Sequence, residues 1–419
     1  MRLEQEKKKR NVHAEVKFPL ILIHTPFGLT FFDKVARTNA ARIYAKFCTY
    51  LMPLITGLAI FLFVFSLIVV FSNAAAREGA RSAGPFSPFL IPGLNPILPL
   101  KIAPIIIIAI IIAVFIHEGG HGIVARVYNI KVESTGILLF LGIPVGAFVN
   151  IEQEELAKAS LKQRSAILTA GPLNNMILAT ISLIAIYFVI STLTSLSTSS
   201  EPQSGVEVTG VNDGSLAGAI GLSKGSIIKT IAGQNVHSIE DLSTLLRSNL
   251  GHNIKVTWQD RTGENITRSV SLPASVGANR GILGILIKDV APDPSIVLKR
   301  YKSAFSSNPL VWLLPPTVNN GTAVPYSDSM ASKYESNVLG SSFPIVANML
   351  FWLWFINFNL AIFNALPIII PLDGSQWYNS LIESKTTSKT NRVKNASQLL
   401  SIVMTMIVLM QFVLPWVIK

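Results

Sequence analysis

Long apolar runs alternate with short polar intervals along this chain. A helix that crosses a bilayer needs about 20 mostly apolar residues, and the stretches 48–72, 100–128, 165–197, 343–383 and 395–418 meet that need. The fourth is expected to be a broken span, because Pro367 and Pro371 interrupt its helix and free backbone carbonyls within apolar sequence.

Between the third and fourth runs the period changes. Residues 201–290 hold "GVEVTGV", "GSIIKTIAG", "NIKVTWQD", "NITRSVSL" and "GILGILIKD", which read as short strands separated by turn residues. "HSIEDLSTLLRSN" reads as a helix with Ser238 as its N-cap and Asp241 three residues on, close to a capping box. Residues 291–342 read as a linker that returns the chain to the membrane. The fold class expected is therefore a polytopic α-helical membrane protein of about five transmembrane helices, with one inserted β-rich domain.

One segment fits neither pattern. "TGILLFLGIPVGAFVNI" (Thr135 to Ile151) is apolar, too short to cross as a helix, and interrupted by Gly and Pro. Within the interval 129–164 it reads as a hairpin dipping back into the membrane, where only protein or a watery cavity can satisfy its backbone; an interfacial loop is the alternative.

Composition narrows the class. Half of the 419 residues are apolar and 14% are charged, and mean hydropathy is +0.49, which excludes an ordinary soluble enzyme. The net charge of +12 gathers in the short intervals, a pattern of membrane topology rather than nucleic-acid binding. Residues 1–47 read as a basic cytosolic tail, since "MRLEQEKKKR" has no apolar core and cleavage site close behind it. Arg126, Lys131, Lys158, Lys162 and Arg164 in one interval, and Lys385, Lys389, Arg392 and Lys394 in another, also assign to the cytosol. The 201–290 domain then faces the opposite side, where Asn265 and Asn320 stand in NxT sequons. Cys48, the single cysteine, excludes an intrachain disulfide and a thiolate metal cluster.

The chemistry starts in the second run, where "FIHEGGHG" places His117, Glu118 and His121 in apolar sequence. Residues four apart share a helix face, so His117 and His121 can grip one ion with Glu118 beside it. Zinc suits such ligands, and Glu118 would move protons to and from water in the logic of the HExxH motif. Shuffling this composition yields HExxH in roughly one sequence in four hundred, but ionisable groups inside a span are costly and mark a pathway or a partner. Two interfacial His and a snorkelling Glu are the bland alternative. Gly119, Gly120 and Gly122 raise the helix cost and would let a substrate backbone approach. A third ligand must come from elsewhere, and within apolar sequence the candidate is Asp373, with Asn364 supplying an amide nearby. "TAGPLNN" brings Asn174 and Asn175 into the third run, where they would bond either a substrate strand or another helix.

Taken in order, "HEGGH", "AGPLNN" and "NALPIIIPLDG" resemble the site-2 protease family of intramembrane zinc metalloproteases. "GILLFLGIPVGAFV" is similar to the segment that follows the first motif in that family's eukaryotic and archaeal branch. The resemblance implies that His117, His121 and Asp373 bind Zn2+, that Glu118 is general base and acid, and that Asn175 and Asn364 help hold substrate. One departure concerns Asn364: the family usually has one residue fewer between this Asn and the Asp, and "PIIIP" carries an extra Ile. The substrates implied are membrane-spanning proteins in the lipid bilayer, cut in regulated intramembrane proteolysis; the basic intervals put the active site towards the cytosolic side of what is expected to be the cell membrane.

The inserted domain resembles a PDZ module through "GSLAGAIGLSKGSIIKTIAGQNVHSIEDL", although Ser226 stands where that group usually has Asp. Such a module binds an extended peptide as an added strand, and here it would either capture a substrate tail or exclude proteins with bulky external domains. Two other functions compete with the whole reading. A membrane zincin acting on prenylated tails would want a Glu as third ligand on a later helix, and none is suitably placed. A metal transporter or sensor would use the same His/His/Asp site and have no need of Glu118.

Overall fold

The computed structural model describes residues 12–84, 95, 100–196, 205–212, 214–275, 281–289, 294–307, 326, 330–385 and 391–418. The first residues of the basic tail, Asn320, Lys389 and part of the 291–342 interval lie outside the described residues. The chain forms two compact units, Met1–Ser182 with Met349–Lys419, and Leu183–Asn348.

The first unit opens with strands β1 (His13–Lys17) and β2 (Leu20–Thr25) and helices α1 (Leu29–Ala36), α2 (Asn39–Ser72) and α3 (Ala74–Ala83). After a 3-10 turn at Leu100–Ile102 come α4 (Ala103–Val127), β3 (Val132–Phe140), β4 (Ile143–Ile151), α5 (Gln153–Lys158) and α6 (Leu161–Ser191). Among the described residues five helices are long and apolar enough to cross a membrane: Asn39–Ser72, Leu100–Val127, Leu161–Ser191, Phe343–Asn364 and Gln398–Val417. The protein is thus a polytopic helical protein with a β-rich remainder.

Residues 12–47 are not the plain tail expected. β1 and β2 extend the β3–β4 hairpin into a four-stranded antiparallel sheet of order β1-β2-β3-β4, with His24 opposite Gly136 and its Nδ1 2.9 Å from the buried Ser134 Oγ. That pairing joins residues more than 100 positions apart, so no local pattern announces it. The hairpin turns on Leu141 and Gly142, both at positive φ (49° and 84°), as a two-residue turn in a right-twisted ribbon requires. The segment 135–151 is therefore a paired hairpin, with a register shift between Leu138 and Leu139.

Helix α2 starts at Asn39, ahead of Cys48, because Thr38 caps it: Thr38 Oγ1 accepts from the Ala41 N–H at 3.1 Å. Its 34 residues give about 51 Å of helix, more than a bilayer core of about 30 Å.

The chain leaves the second unit along α10 (Phe343–Asn364), which ends at Asn364; after a non-helical stretch come α11 (Asp373–Lys385) and α12 (Asn391–Val417). The break expected from Pro367 and Pro371 thus spans residues 365–372, and neighbouring side chains meet its backbone groups. Thr56 Oγ1 donates to the Ala365 carbonyl at 3.0 Å, Thr405 Oγ1 accepts from the Ile369 N–H at 3.1 Å, and Ser375 Oγ lies 2.8 Å from the Ile370 carbonyl. In apolar surroundings each unmet group would cost several kcal/mol. Met52, Ile55 and Ala59 of α2 bury this stretch together with Trp377, Met404 and Val408.

In the second unit β6 (Val206–Val211), β7 (Ile227–Ile231), β9 (Asn253–Gln259), β10 (Asn265–Ser271) and β11 (Ile285–Asp289) form a sheet of order β10-β9-β7-β6-β11, with β8 (Gln234–Asn235) paired to β7. Helices α7 (Leu216–Ala219) and α8 (Ile239–Ser248) complete it, and Val206, Val208, Ile228, Val256 and Trp258 are among its core residues. Ser238 Oγ accepts from the Asp241 N–H at 3.1 Å, while Asp241 Oδ2 accepts from His237 N–H rather than from the cap itself. The 291–342 interval is more than a linker. It carries α9 (Pro294–Ser307) and β12 (Tyr334–Ser336); β12 pairs with β5 (Leu193–Ser195), and Lys302 Nζ donates to the Leu193 carbonyl at 2.9 Å.

Candidate active site

The site is assembled by α4, α6, α11 and β4. One turn of α4 puts His117 and His121 on the same face, with ring centroids 4.9 Å apart and nearly perpendicular; both are buried. The loop after α10 delivers Asp373 as the first residue of α11, where the positive end of a helix favours a carboxylate. Trp377 Nε1 ties α11 to Ser165 Oγ on α6 at 3.1 Å, and Ser165 Oγ donates to the Thr49 carbonyl of α2 at 3.0 Å.

Asp373 Oδ2 lies 3.0 Å from His117 Nε2 and 3.4 Å from His121 Nε2. One donor atom from each of the three lies within 4.8 Å of the others. Zinc bonds of about 2.0–2.2 Å in tetrahedral array put ligand atoms about 3.3–3.6 Å apart, which is close to this spacing. The chemistry of His121 fits as well, since its Nδ1 lies 2.7 Å from the Ile167 carbonyl and carries the ring proton there, leaving Nε2 free as a ligand.

Glu118 lines the same cavity as the three ligands. Its Oε2 accepts from the Val149 N–H of β4 at 2.9 Å, and the side chain lines two cavities. One, of about 360 Å³, contains His117, His121, Asn364, Asp373 and the β4 residues Gly146, Ala147 and Val149. The other, of about 1010 Å³, is walled by Phe27, Phe31, Phe32, Phe115, Ile137 and Phe148.

The structure places His117, Glu118, His121, Asn364 and Asp373 around one cavity with Asn175 against His117, and reassigns two glycines. A Cβ on Gly120 would stand 2.6 Å from the Ala170 carbonyl oxygen, and one on Gly122 would press on the Phe32 ring. These two serve close helix packing, the usual use of small residues in a bundle, and not the approach of substrate; Gly119 alone faces open space. Gly171 of α6 lies against both ligands, since a Cβ there would meet His121 Nε2 and, at 2.7 Å, His117 Nε2. Gly171→Ala is expected to weaken zinc binding about 5- to 150-fold, the equivalent of about 1–3 kcal/mol of overpacking, read by titration of the purified protein against a chelator.

Asn174 binds helices: its Nδ2 donates to the Ile116 carbonyl at 3.0 Å and its Oδ1 accepts from Tyr44 at 2.6 Å. Asn175, buried on the same helix, places Nδ2 3.1 Å from His117 Nδ1. Asn364 lines the smaller cavity with Asp373 despite the extra Ile, and Ile369 and Ile370 of the intervening loop are exposed. The Val149 N–H and the Ile167 carbonyl are functional groups that sequence reading missed, because backbone atoms leave no residue signature.

The sequence profile of peptidase family M50 matches residues 105–409, which include every residue of this site. The chain belongs to peptidase family M50, the site-2 protease family. An uncharacterized protein of Methanocaldococcus jannaschii is 27% identical over 389 residues, 91% of this chain and 82% of its own length. A Clostridium acetobutylicum protein, whose name provisionally makes it a zinc metalloprotease, is 29% identical over 179 residues, 37% of this chain and half of its own length. As an M50 peptidase the protein is a zinc metalloprotease, and the His/His/Asp group suits the ion the family uses.

Proposed function

We propose that this M50 peptidase hydrolyses peptide bonds within or beside the transmembrane segments of membrane-anchored proteins, as a step of regulated proteolysis. The observation that carries the reading is the position of the site: His117, Glu118 and His121 lie in the second half of the membrane-length helix Leu100–Val127. Charged groups at such depth mark a reaction path more often than a scaffold.

In this mechanism His117, His121 and Asp373 would hold the metal, which would supply Lewis acidity. Glu118 takes the proton from the attacking water and hands it to the leaving amine. Asn364, on the same cavity wall, meets the substrate backbone. A helical substrate hides its carbonyls, so it must unwind before it reacts. β4 is one edge of its sheet among the described strands and lines the cavity with Val149, whose own N–H is held by Glu118, so the unwound segment adds to β4 as a further strand through the neighbouring backbone groups.

Reconstitution with a single-span substrate in vesicles, with mass spectrometry of the products, tests the reading. Cuts are expected inside or next to the apolar segment, and cleavage confined to soluble regions would overturn it. The alternation of an antiparallel ladder points the N–H of Ala147 the same way as that of Val149. Ala147→Pro is then expected to lower cleavage about 3- to 10-fold, the worth of one hydrogen bond, with zinc content unchanged.

The positive-inside pattern supports a cell-membrane protein with its active site towards the cytosol and the 201–290 domain on the other side. There the PDZ-like domain works as a size filter against substrates with bulky external parts, or as a receptor for a peptide tail. Removing the external part of a substrate separates the two: a filter predicts faster cleavage, and a receptor for that part predicts slower.

A further inference from the structure

The two candidate zinc histidines face one helix at matched intervals. His117 and His121 are four residues apart on α4, and opposite them on α6 stand Ile167, Gly171 and Asn175, also four apart. The Ile167 carbonyl meets Nδ1 of His121 at 2.7 Å, Gly171 leaves room for both rings, and the Asn175 carboxamide meets Nδ1 of His117 at 3.1 Å. Each ring thus has its Nε2 towards Asp373 and its Nδ1 towards a polar group of α6.

A neutral imidazole that offers Nε2 to a metal carries its only proton on Nδ1, and that proton needs an acceptor. His121 has one in a backbone carbonyl. For His117 the group in place is Asn175 Nδ2, a donor, while Asn175 Oδ1 is buried without a hydrogen-bond partner among the described residues. A half-turn of the carboxamide exchanges its two ends without moving the rest of the side chain. Oδ1 then accepts from Nδ1–H of His117.

We infer that Asn175 is a positioning residue for zinc, accepting the Nδ1 proton of His117 through Oδ1 and so fixing the tautomer that leaves Nε2 free, rather than a group that holds substrate. The inference rests on the zinc site described above. It gives α6 one task in two forms: a backbone carbonyl orients one ligand and a side-chain oxygen orients the other.

The test is zinc affinity, measured on the detergent-purified full chain by chelator competition for the parent protein, Asn175→Ala and Asn175→Asp, with thermal unfolding of the metal-free forms as the folding control. Asp retains an acceptor and loses the donor. The expected result is a loss of about 10- to 100-fold in zinc affinity for Asn175→Ala, the usual cost of removing such a partner, and affinity within about 3-fold of the parent for Asn175→Asp. Asn175→Ala that binds zinc as tightly as the parent, with its defect confined to KM, would overturn the inference and return Asn175 to the substrate. Asn175→Asp as weak as Asn175→Ala would overturn it too, by showing that the amide must donate. If the parent protein itself binds no zinc, the ligand assignment fails first, and that outcome is distinct from the other two.

Discussion

Glu118→Gln is expected to keep its zinc and lose proteolysis. The substitution preserves shape, and the amide oxygen still accepts from the Val149 N–H that now meets Glu118 Oε2. None of the three atoms that converge on the metal position belongs to Glu118, so binding of the ion is untouched. What disappears is a group that takes a proton and gives it back, worth about 10²- to 10⁴-fold in rate. Metal analysis and vesicle cleavage of the same preparation check both halves. A transporter or sensor built on His117, His121 and Asp373 would be indifferent to this change, and a Glu118→Gln variant that still cuts at the parental rate would sink the protease mechanism.

Asp373→Ala is expected to lose zinc and activity together. The carboxylate faces Nε2 of both histidines, at 3.0 and 3.4 Å. Loss of an outer partner alone costs about 10- to 100-fold in metal affinity, so loss of a direct ligand should cost more than about 100-fold. Asp373→Asn, which keeps one oxygen but no charge, should fall between. Unchanged zinc content in the alanine variant, measured after dialysis against a chelator, would remove Asp373 from the ligand set.

Much of this site was legible in the sequence because side-chain chemistry carries it. Two histidines four apart with an adjacent Glu, and an Asp after two prolines in apolar sequence, are unusual enough in a span to stand out before any coordinates. The helices were legible for a related reason, since a bilayer demands long apolar runs. What escaped was whatever depends on distant partners or on the backbone. β1 and β2 lie in sequence read as a basic tail, and their place is decided by pairing with a hairpin more than 100 residues away. Gly120 and Gly122 looked like room for a substrate, yet Ala170 and Phe32 fill that room. The Val149 N–H and the Ile167 carbonyl are chemically the same in every residue but proline and acquire a role only through where the strand and helix run.

Hydrolysis consumes one water for every bond cut, and lipid supplies none. Glu118 stands in the wall between a polar chamber, with Gln153, Asn364 and Gln376 beside the metal ligands, and a larger chamber lined by phenylalanines. Two sides with opposite affinities therefore meet at one carboxylate. Of the two, the polar chamber is the better host for that water, and it is the one that holds His117, His121 and Asp373.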